Sequence, residues 1–149
     1  MATPQQLLVP VDGSQTSVKA LEAAIELTRL NTGRLRLLHV IDALNYVNGF
    51  ETAKVYFEET LPRMHADGER LLAQMRSLAE AKGVACDSVL LESGPERLCD
   101  LVAEQARQVH ADMIVLGSHG RRGLDRMLMG SDAEQIVRRA PVPVLVVKA

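Results

Sequence analysis

The sequence predicts a doubly wound α/β domain, in which helices cover both faces of a five-stranded parallel sheet. Five short apolar runs alternate with four segments of helical periodicity along the 149 residues. Four of these runs are nearly unbroken stretches of Val, Ile and Leu, as in strands that are buried on both faces. Strands that alternate with helices form parallel sheets through right-handed crossovers. We therefore expect one Rossmann-like domain over residues 1–149.

The apolar runs are the predicted strands. They cover residues 7–11, 35–41, 84–91, 113–116 and 142–147. The third run is interrupted by Cys86, Asp87 and Ser88. Polar residues at these positions indicate a strand at the edge of the sheet, where one face is less covered.

The predicted helices are delimited by residues that start or stop a helix. The first follows Ser14 as a possible cap, and the second runs from about residue 58 to residue 82, before Gly83. The third is opened by Pro95, and the fourth lies between Gly130 and Pro141. The residues expected to face the core are Ala20, Leu21, Ala24, Ile25, Leu27 and Thr28; Met64, Gly68, Leu71, Leu72, Met75, Leu78 and Ala79; Leu98, Leu101, Val102 and Val109; and Ala133, Ile136, Val137 and Ala140.

One long irregular connection is predicted, between Asp42 and Phe57. It contains both tyrosines, both phenylalanines and Gly49. A connection of this length without regular structure is typical of a lid, a partner surface or a mobile segment.

Composition and charge exclude several classes of protein. The 17 Lys and Arg and 19 Asp and Glu give a net charge of −2, so no global charge attracts nucleic acid or an anionic membrane. Trp is absent and aromatic residues make up 3%, which argues against a surface that stacks single-stranded bases. No apolar run is long enough for a membrane span and no signal sequence is recognised, so a cytoplasmic protein is expected. Cys86 and Cys99 lie outside any CxxC motif and are interpreted as reduced core residues, with a redox pair as the alternative.

The stretch GSHGRRGLDRMLMGSD, residues 117–132, directly follows the fourth predicted strand. Ligands of open α/β sheets bind outside the carboxyl ends of the strands, and Gly117 at such an end allows close approach to the main chain. Gly130 and Ser131 begin the last helix, whose first amides favour an anion. Arg121, Arg122 and Arg126 add charge-assisted donors.

These features predict a polyphosphate site built from main-chain amides. The alternative is that the glycines only shape the loop and that the arginines form a solvated face. The motifs GxxxxGK[ST] and GxGxxG after the first strand are both absent, so the site differs from the usual phosphate-binding loops.

A second candidate group lies at the end of the first strand, in VPVDGS, residues 9–14. Asp12 falls where the strand passes into the first helix. Its carboxylate could accept hydrogen bonds from a ribose or a base, or help to hold Mg²⁺. The alternative is that Asp12 caps the helix, a role for which Ser14 and Thr16 are also available.

Over essentially its full length the sequence resembles the universal stress protein family. The resemblance rests on the opening LVPVDGS, residues 8–14, on the spacing Gly117-x2-Gly120-x9-Gly130-Ser131, and on the ending APVPVLVV, residues 140–147. In that family the glycine spacing marks the branch that binds ATP. The resemblance implies a parallel sheet in the order 3-2-1-4-5, which reverses between strands 1 and 4.

The resemblance also implies a set of nucleotide-binding residues. Asp12 would lie at the adenosine with Pro10 and Val11 beside it, and Val40 would meet adenine through its main chain. The residues implied around the ribose and phosphates are Gly117, His119, Gly120 and Arg121, with Gly130, Ser131 and the amide of Asp132 at the phosphate tail. The implied cofactor is ATP, or alternatively ADP or AMP, with Mg²⁺ as a further component.

Asp132 departs from the family pattern, in which a neutral residue is more frequent at this position. An acid in the first turn complements the helix dipole while the site is empty. A bound phosphate would repel it unless Mg²⁺ bridges the two charges. The sequence therefore predicts that Asp132 makes the binding of a triphosphate more dependent on Mg²⁺ than it would be in an Asp132→Val variant.

The family pairs its last strand with that of a second chain, and the apolar run between Val142 and Val147 predicts a homodimer at this edge. His39 is expected in the core, and His65 and His110 on helices without metal-binding spacing. The favoured function is a nucleotide-responsive regulator in the stress response, which acts as a homodimer on an unidentified protein partner. A slow ATP hydrolase or phosphoryl transferase, and a dimeric interaction protein without nucleotide, remain alternatives.

Overall fold

The strands and helices alternate along the chain as predicted. The computed structural model describes residues 4–43, 52–119 and 129–148. The five strands are β1 (Gln6–Pro10), β2 (Arg34–Ile41), β3 (Ala85–Glu92), β4 (Met113–Gly117) and β5 (Val144–Val147). All pairs are parallel, and the order is β3-β2-β1-β4-β5. The predicted fold class and strand order are confirmed, and β3 lies at an edge as its polar residues indicate.

The helices flank the strands on both faces of the sheet. They are α1 (Gln15–Arg29), α2 (Ala53–Val55), α3 (Leu61–Ala81), α4 (Leu98–Gln108) and α5 (Ser131–Arg139), and a π-helical turn, Tyr56–Thr60, joins α2 to α3. None of the helices in the described residues is both long and apolar enough to cross a membrane.

Two apolar clusters hold the helices against the sheet, because successive strand residues point to opposite faces. On one face, α1 and α3 pack over Leu7, Val9, Leu35, Leu37 and Val115. On the other face, α4 and α5 pack over Leu8, Leu38, Ile114 and Leu116. The central strands are therefore buried on both sides, which explains their unbroken apolar sequences.

Several predicted boundaries are wrong. The helical segment before β3 begins at Ala53 rather than near residue 58, because Thr52 caps it by accepting a hydrogen bond from the Val55 amide (3.2 Å). Tyr56, only 5% exposed, donates its hydroxyl hydrogen to the Ala43 carbonyl and anchors this segment. The last part of the connection between Asp42 and Phe57 is thus helical, and residues 44–51 of it lie outside the described residues.

The third helix begins at Leu98 rather than at Pro95, and the last strand begins at Val144 rather than at residue 142. Pro143 has no amide hydrogen to offer a sheet, although its carbonyl accepts from Ile114 (3.0 Å). His110 was expected on a helix but follows α4 with a left-handed φ of 53°.

Two apolar residues expected in the core are exposed. Leu78 is 46% exposed and Val137 is 40% exposed. Each lies beside the narrow stripe by which its helix contacts the sheet: α3 buries Gly68, Leu72, Met75 and Ala79, and α5 buries Ala133 and Ile136. Helical periodicity locates the apolar stripe but not its edges.

Candidate functional site

The turn between β1 and α1 is held by the carboxylate of Asp12. Its Oδ1 accepts a hydrogen bond from the Ser14 amide (2.9 Å), which closes an Asx turn around Gly13. Gly13 has a φ of 83°, a conformation that favours glycine. Ser14 itself caps α1 through the Ser17 amide (3.3 Å), so the capping role belongs to Ser14. The Asp12 carboxylate shapes the turn, and the residue as a whole is partly buried at the end of β1.

Pro10 and Val11 precede this turn, and Val40 lies across from it on β2. The last pair of the β1–β2 ladder joins Pro10 and Leu38, and the Val11 amide donates to the Leu38 carbonyl (2.8 Å). In a strand, the main-chain amide and carbonyl of every second residue point to the same neighbouring strand. The amide and carbonyl of Val40 therefore point toward β1, as those of Leu38 do. Because β1 has ended there, the main chain of Val40 faces the region beyond the strand end.

Gly117 ends β4 beside the start of α1. A Cβ atom at this position would lie 2.6 Å from Thr16 Oγ1 and 2.7 Å from the main-chain carbon of Thr16. The Thr16 hydroxyl donates to the carbonyl of His119. Gly117 is therefore required by the close packing of the end of β4 against the first turn of α1, a reason that differs from the predicted approach of a ligand to the main chain.

Ser118 and His119 are fixed from three directions. The Ser118 amide donates to Val147 on β5 (2.9 Å), and its carbonyl accepts from the amide of Gly130 (2.7 Å). The Ser118 hydroxyl lies 2.9 Å from Nδ1 of His119. Nε2 of His119 is buried and has no hydrogen-bond partner among the described residues. The ring lies against the start of α5, since a Cβ on Gly130 would be 4.0 Å from its Cδ2 atom.

The N-terminus of α5 lies beside the loop that follows β4. Gly130 is the N-cap with an extended backbone (φ −62°, ψ 155°), and within the described residues no side chain caps the helix. The first intrahelical hydrogen bond joins the Glu134 amide to the Gly130 carbonyl (2.9 Å). The amides of Ser131, Asp132 and Ala133 therefore precede the first bonded turn, where a helix accepts an anion.

The strand order reverses between β1 and β4, and we call this place the switch point. Most of the predicted site residues that the structure describes lie close to it. The pairing of β1 with β4 places Asp12 and Gly117 at neighbouring strand ends, and the Ser118 carbonyl brings Gly130 to the same edge. Gly120 and Arg121 lie outside the described residues, as do Arg122 and Arg126. Among the described residues, no group of three or more His, Cys, Asp or Glu side chains could hold a metal ion.

Sequence reasoning missed the roles of Thr16 and Ser118. Thr16 was considered only as a cap, but it is 6% exposed and joins the β1–α1 turn to the loop after β4. Ser118, 4% exposed, holds the ring of His119. The only sequence signal for either residue is its place next to a predicted strand end.

The fold is that of a Rossmann-like α/β protein, and the start of α5 lies at the edge of the sheet where β1 and β4 end. A model of the Universal stress protein family matches residues 4–148. The chain belongs to the universal stress protein family.

Relatives in sequence and structure agree with this assignment. Universal stress protein MJ0531 of Methanocaldococcus jannaschii is 31% identical over 144 residues, which cover 97% of this chain and 82% of the relative. A universal stress family protein from Burkholderia pseudomallei is similar in structure, with a TM-score of 0.79 at 28% identity, and the match covers 100% of this chain and 99% of that one.

Two further solved structures share the fold at lower identity. Protein MJ0577 has a TM-score of 0.86 at 24% identity, and the match covers 99% of this chain and 98% of that chain. The universal stress protein of Archaeoglobus fulgidus in complex with dAMP has a TM-score of 0.68 at 22% identity, with 99% and 100% of the chains covered. Nucleotide complexes are therefore known among proteins of this fold.

Proposed function

We propose that the protein binds an adenine nucleotide, ATP or alternatively ADP or AMP, at the switch point and acts as a nucleotide-responsive regulator in the stress response. The proposal is carried by two neighbouring groups that lack partners among the described residues: the start of α5, which no side chain caps, and the buried Nε2 atom of His119. When the Ser118 hydroxyl donates to Nδ1, the ring carries its hydrogen on Nε2. This N–H and the first amides of α5 form a donor set that suits phosphate oxygens. The dAMP complex of a family member with the same fold supports an adenine nucleotide as the ligand.

The adenosine would bind at the end of β1. Asp12 is only partly buried there, and its carboxylate would accept hydrogen bonds from ribose hydroxyls, while Pro10 and Val11 border the turn. The main chain of Val40 points to the same region and offers the donor and acceptor pair that adenine requires. Because Asp12 also closes the turn through the Ser14 amide, its position is set before a ligand arrives.

The phosphates would bind between β4 and α5. Gly117 and His119 border this space, and the amides of Ser131 and Asp132 follow Gly130 at the helix start. A phosphate at this position gains from the helix dipole as well as from hydrogen bonds. Gly120 and Arg121 are proposed to complete the ribose and phosphate contacts.

Mg²⁺ is proposed to accompany the triphosphate because of the charge on Asp132. This carboxylate and that of Glu134 both lie in the first turn of α5. Carboxylate and phosphate oxygens are the ligands that Mg²⁺ prefers. A bridging ion would turn the repulsion between Asp132 and the phosphates into attraction.

The regulator is proposed to act as a cytoplasmic homodimer, with β5 paired to its copy in a second chain. This strand is at an edge of the sheet, and Leu145 on it is 37% exposed. The apolar run between Val142 and Val147 contains this strand, and an edge strand presents backbone groups with which another strand can pair. Nucleotide binding could then reach an unidentified partner protein through this dimer, since the Ser118 amide joins the site directly to β5.

The nucleotide proposal is tested by identifying and measuring the ligand. Mass spectrometry of small molecules released from the purified, denatured protein should detect an adenine nucleotide, and calorimetry with ATP, ADP and AMP plus Mg²⁺ should give binding heats. Asp12→Ala and Gly130→Leu should abolish this binding, whereas Asp67→Ala, which removes an exposed carboxylate on α3, should leave it unchanged. The proposal would be refuted if the wild-type protein bound none of the three nucleotides.

Turnover of labelled ATP separates regulation from catalysis. A regulator should release no more phosphate than the Asp12→Ala variant does. Turnover clearly above that background would identify a slow hydrolase or phosphoryl transferase instead.

A further inference from the structure

His39 binds the main chain at the point where β1 becomes the Asp12 turn. It lies near the carboxyl end of β2, on the face that α1 and α3 cover. Its Nδ1 atom is 2.8 Å from the carbonyl oxygen of Val11. A carbonyl oxygen can only accept, so Nδ1 carries the hydrogen and the tautomer of the neutral ring is fixed.

This hydrogen bond replaces one that the sheet would otherwise supply. Val11 lies one residue beyond β1, and its amide still donates to Leu38 (2.8 Å). Its carbonyl accepts from the His39 side chain. Leu38 and His39, two successive residues of β2, therefore bind the amide and the carbonyl of Val11. Asp12 follows directly, and its direction therefore depends on how Val11 is held.

The ring of His39 is kept in place by α3. A Cβ atom on Gly68 would lie 3.2 Å from Cδ2 of His39 and 2.9 Å from Cδ1 of Leu90. Glycine is among the poorest helix formers, and a buried one inside a long helix indicates close packing against a neighbour. The ring thus lies between the backbone of α3 and the carbonyl of Val11.

We propose that His39 is a positioning residue of the nucleotide site, which orients the Asp12 turn through the Val11 carbonyl. The inference rests on the proposed function for its effect on affinity, but its effect on the turn does not. His39 contacts the turn from the side of α3, so it links the packing of that helix to the geometry at Asp12.

The test compares two replacements of His39 with one control. In His39→Asn the side-chain amide places a donor near the position of Nδ1, whereas His39→Leu keeps the bulk and removes the donor. The control is His65→Leu, which removes a half-exposed histidine of α3 that pairs with Glu92 instead of Val11. The measurements are the affinity for ATP with Mg²⁺, the amide exchange of Asp12 and Ser14 without nucleotide, and the urea midpoint.

His39→Leu should bind ATP up to about tenfold more weakly than the unchanged protein, as expected for the loss of one hydrogen bond. Exchange of the Asp12 and Ser14 amides should accelerate by a similar factor, because both depend on the turn. His39→Asn should restore most of both effects, and His65→Leu should show neither. The urea midpoint shows whether a weaker affinity or a faster exchange only reflects a lower stability of the whole protein.

Three results would overturn the proposal. The first is that the Asp12 and Ser14 amides of His39→Leu exchange as in the wild-type protein. The second is that His39→Asn restores neither the affinity nor the slow exchange. The third is that the changes in affinity and exchange are fully explained by a lower urea midpoint. If the unchanged protein binds no adenine nucleotide, the proposed function fails. The exchange comparison then still decides whether His39 fixes the turn.

Discussion

Replacing Gly117 by Ala should destabilise the protein through a clash at the switch point. The new Cβ would lie 2.6 Å from Oγ1, 2.7 Å from the main-chain carbon and 2.8 Å from Cβ of Thr16. The side chain of Thr16 could rotate, but its main-chain carbon belongs to the first turn of α1 and cannot move alone. Either β4 or the start of α1 must therefore shift.

The expected cost combines two contributions. Overpacking in a close-packed interior costs about 1–3 kcal/mol. Displacement of Thr16 also breaks its hydrogen bond to the carbonyl of His119, which contributes about 0.5–1.5 kcal/mol. Together they predict a loss of roughly 1.5–4.5 kcal/mol, or about 3–18 °C in Tm for a domain of this size.

Urea and thermal unfolding measure this loss, with Gly94→Ala as the matched control. A Cβ on Gly94 would meet only the end of the Glu96 side chain at 3.0 Å, which can move away, so this variant should stay within about 0.5 kcal/mol of the unchanged protein. If Gly117→Ala were as stable as Gly94→Ala, Gly117 would not be required for packing and the argument from Thr16 would fail.

Three further predictions concern charge and reactivity. Asp132→Val should make ATP binding less dependent on Mg²⁺, and titrations with and without EDTA test this; equal losses of affinity in both proteins would contradict it. The hydrogen bond from Arg36 lowers the pKa of Asp87 in the folded protein. The pair therefore stabilises the fold fully above about pH 3.9, the usual pKa of Asp in an unfolded chain. This stabilisation is lost as the pH falls through the lower pKa that Asp87 has in the folded protein. Urea unfolding should show Asp87→Asn less stable by under about 1 kcal/mol at pH 7, because the pair is partly exposed, and equally stable in strong acid. Burial raises the pKa of Cys86 to about 12, so at about pH 8 iodoacetamide should modify this thiol much faster after unfolding than before, and equal rates would show that the native thiol is accessible.

The sequence predicts the fold because its strongest signals are local and periodic. Unbroken apolar strands such as Met113–Gly117 and amphipathic helices between them indicate a parallel sheet, and the polar residues of Ala85–Glu92 place that strand at an edge. The helix that starts at Ala53 was missed because its anchors, Thr52 and the buried Tyr56, carry no apolar periodicity.

The sequence by itself determined the architecture and the positions of Asp12, Gly117 and Gly130 at strand ends and a helix start. Only the tertiary structure decided what these positions do for one another. Thr16 contacts Gly117 and His119, and His39 binds Val11, across separations in sequence of up to 103 residues. Such contacts depend on which strands become neighbours and on how closely they pack. No local sequence pattern encodes the distance between side chains that are far apart along the chain.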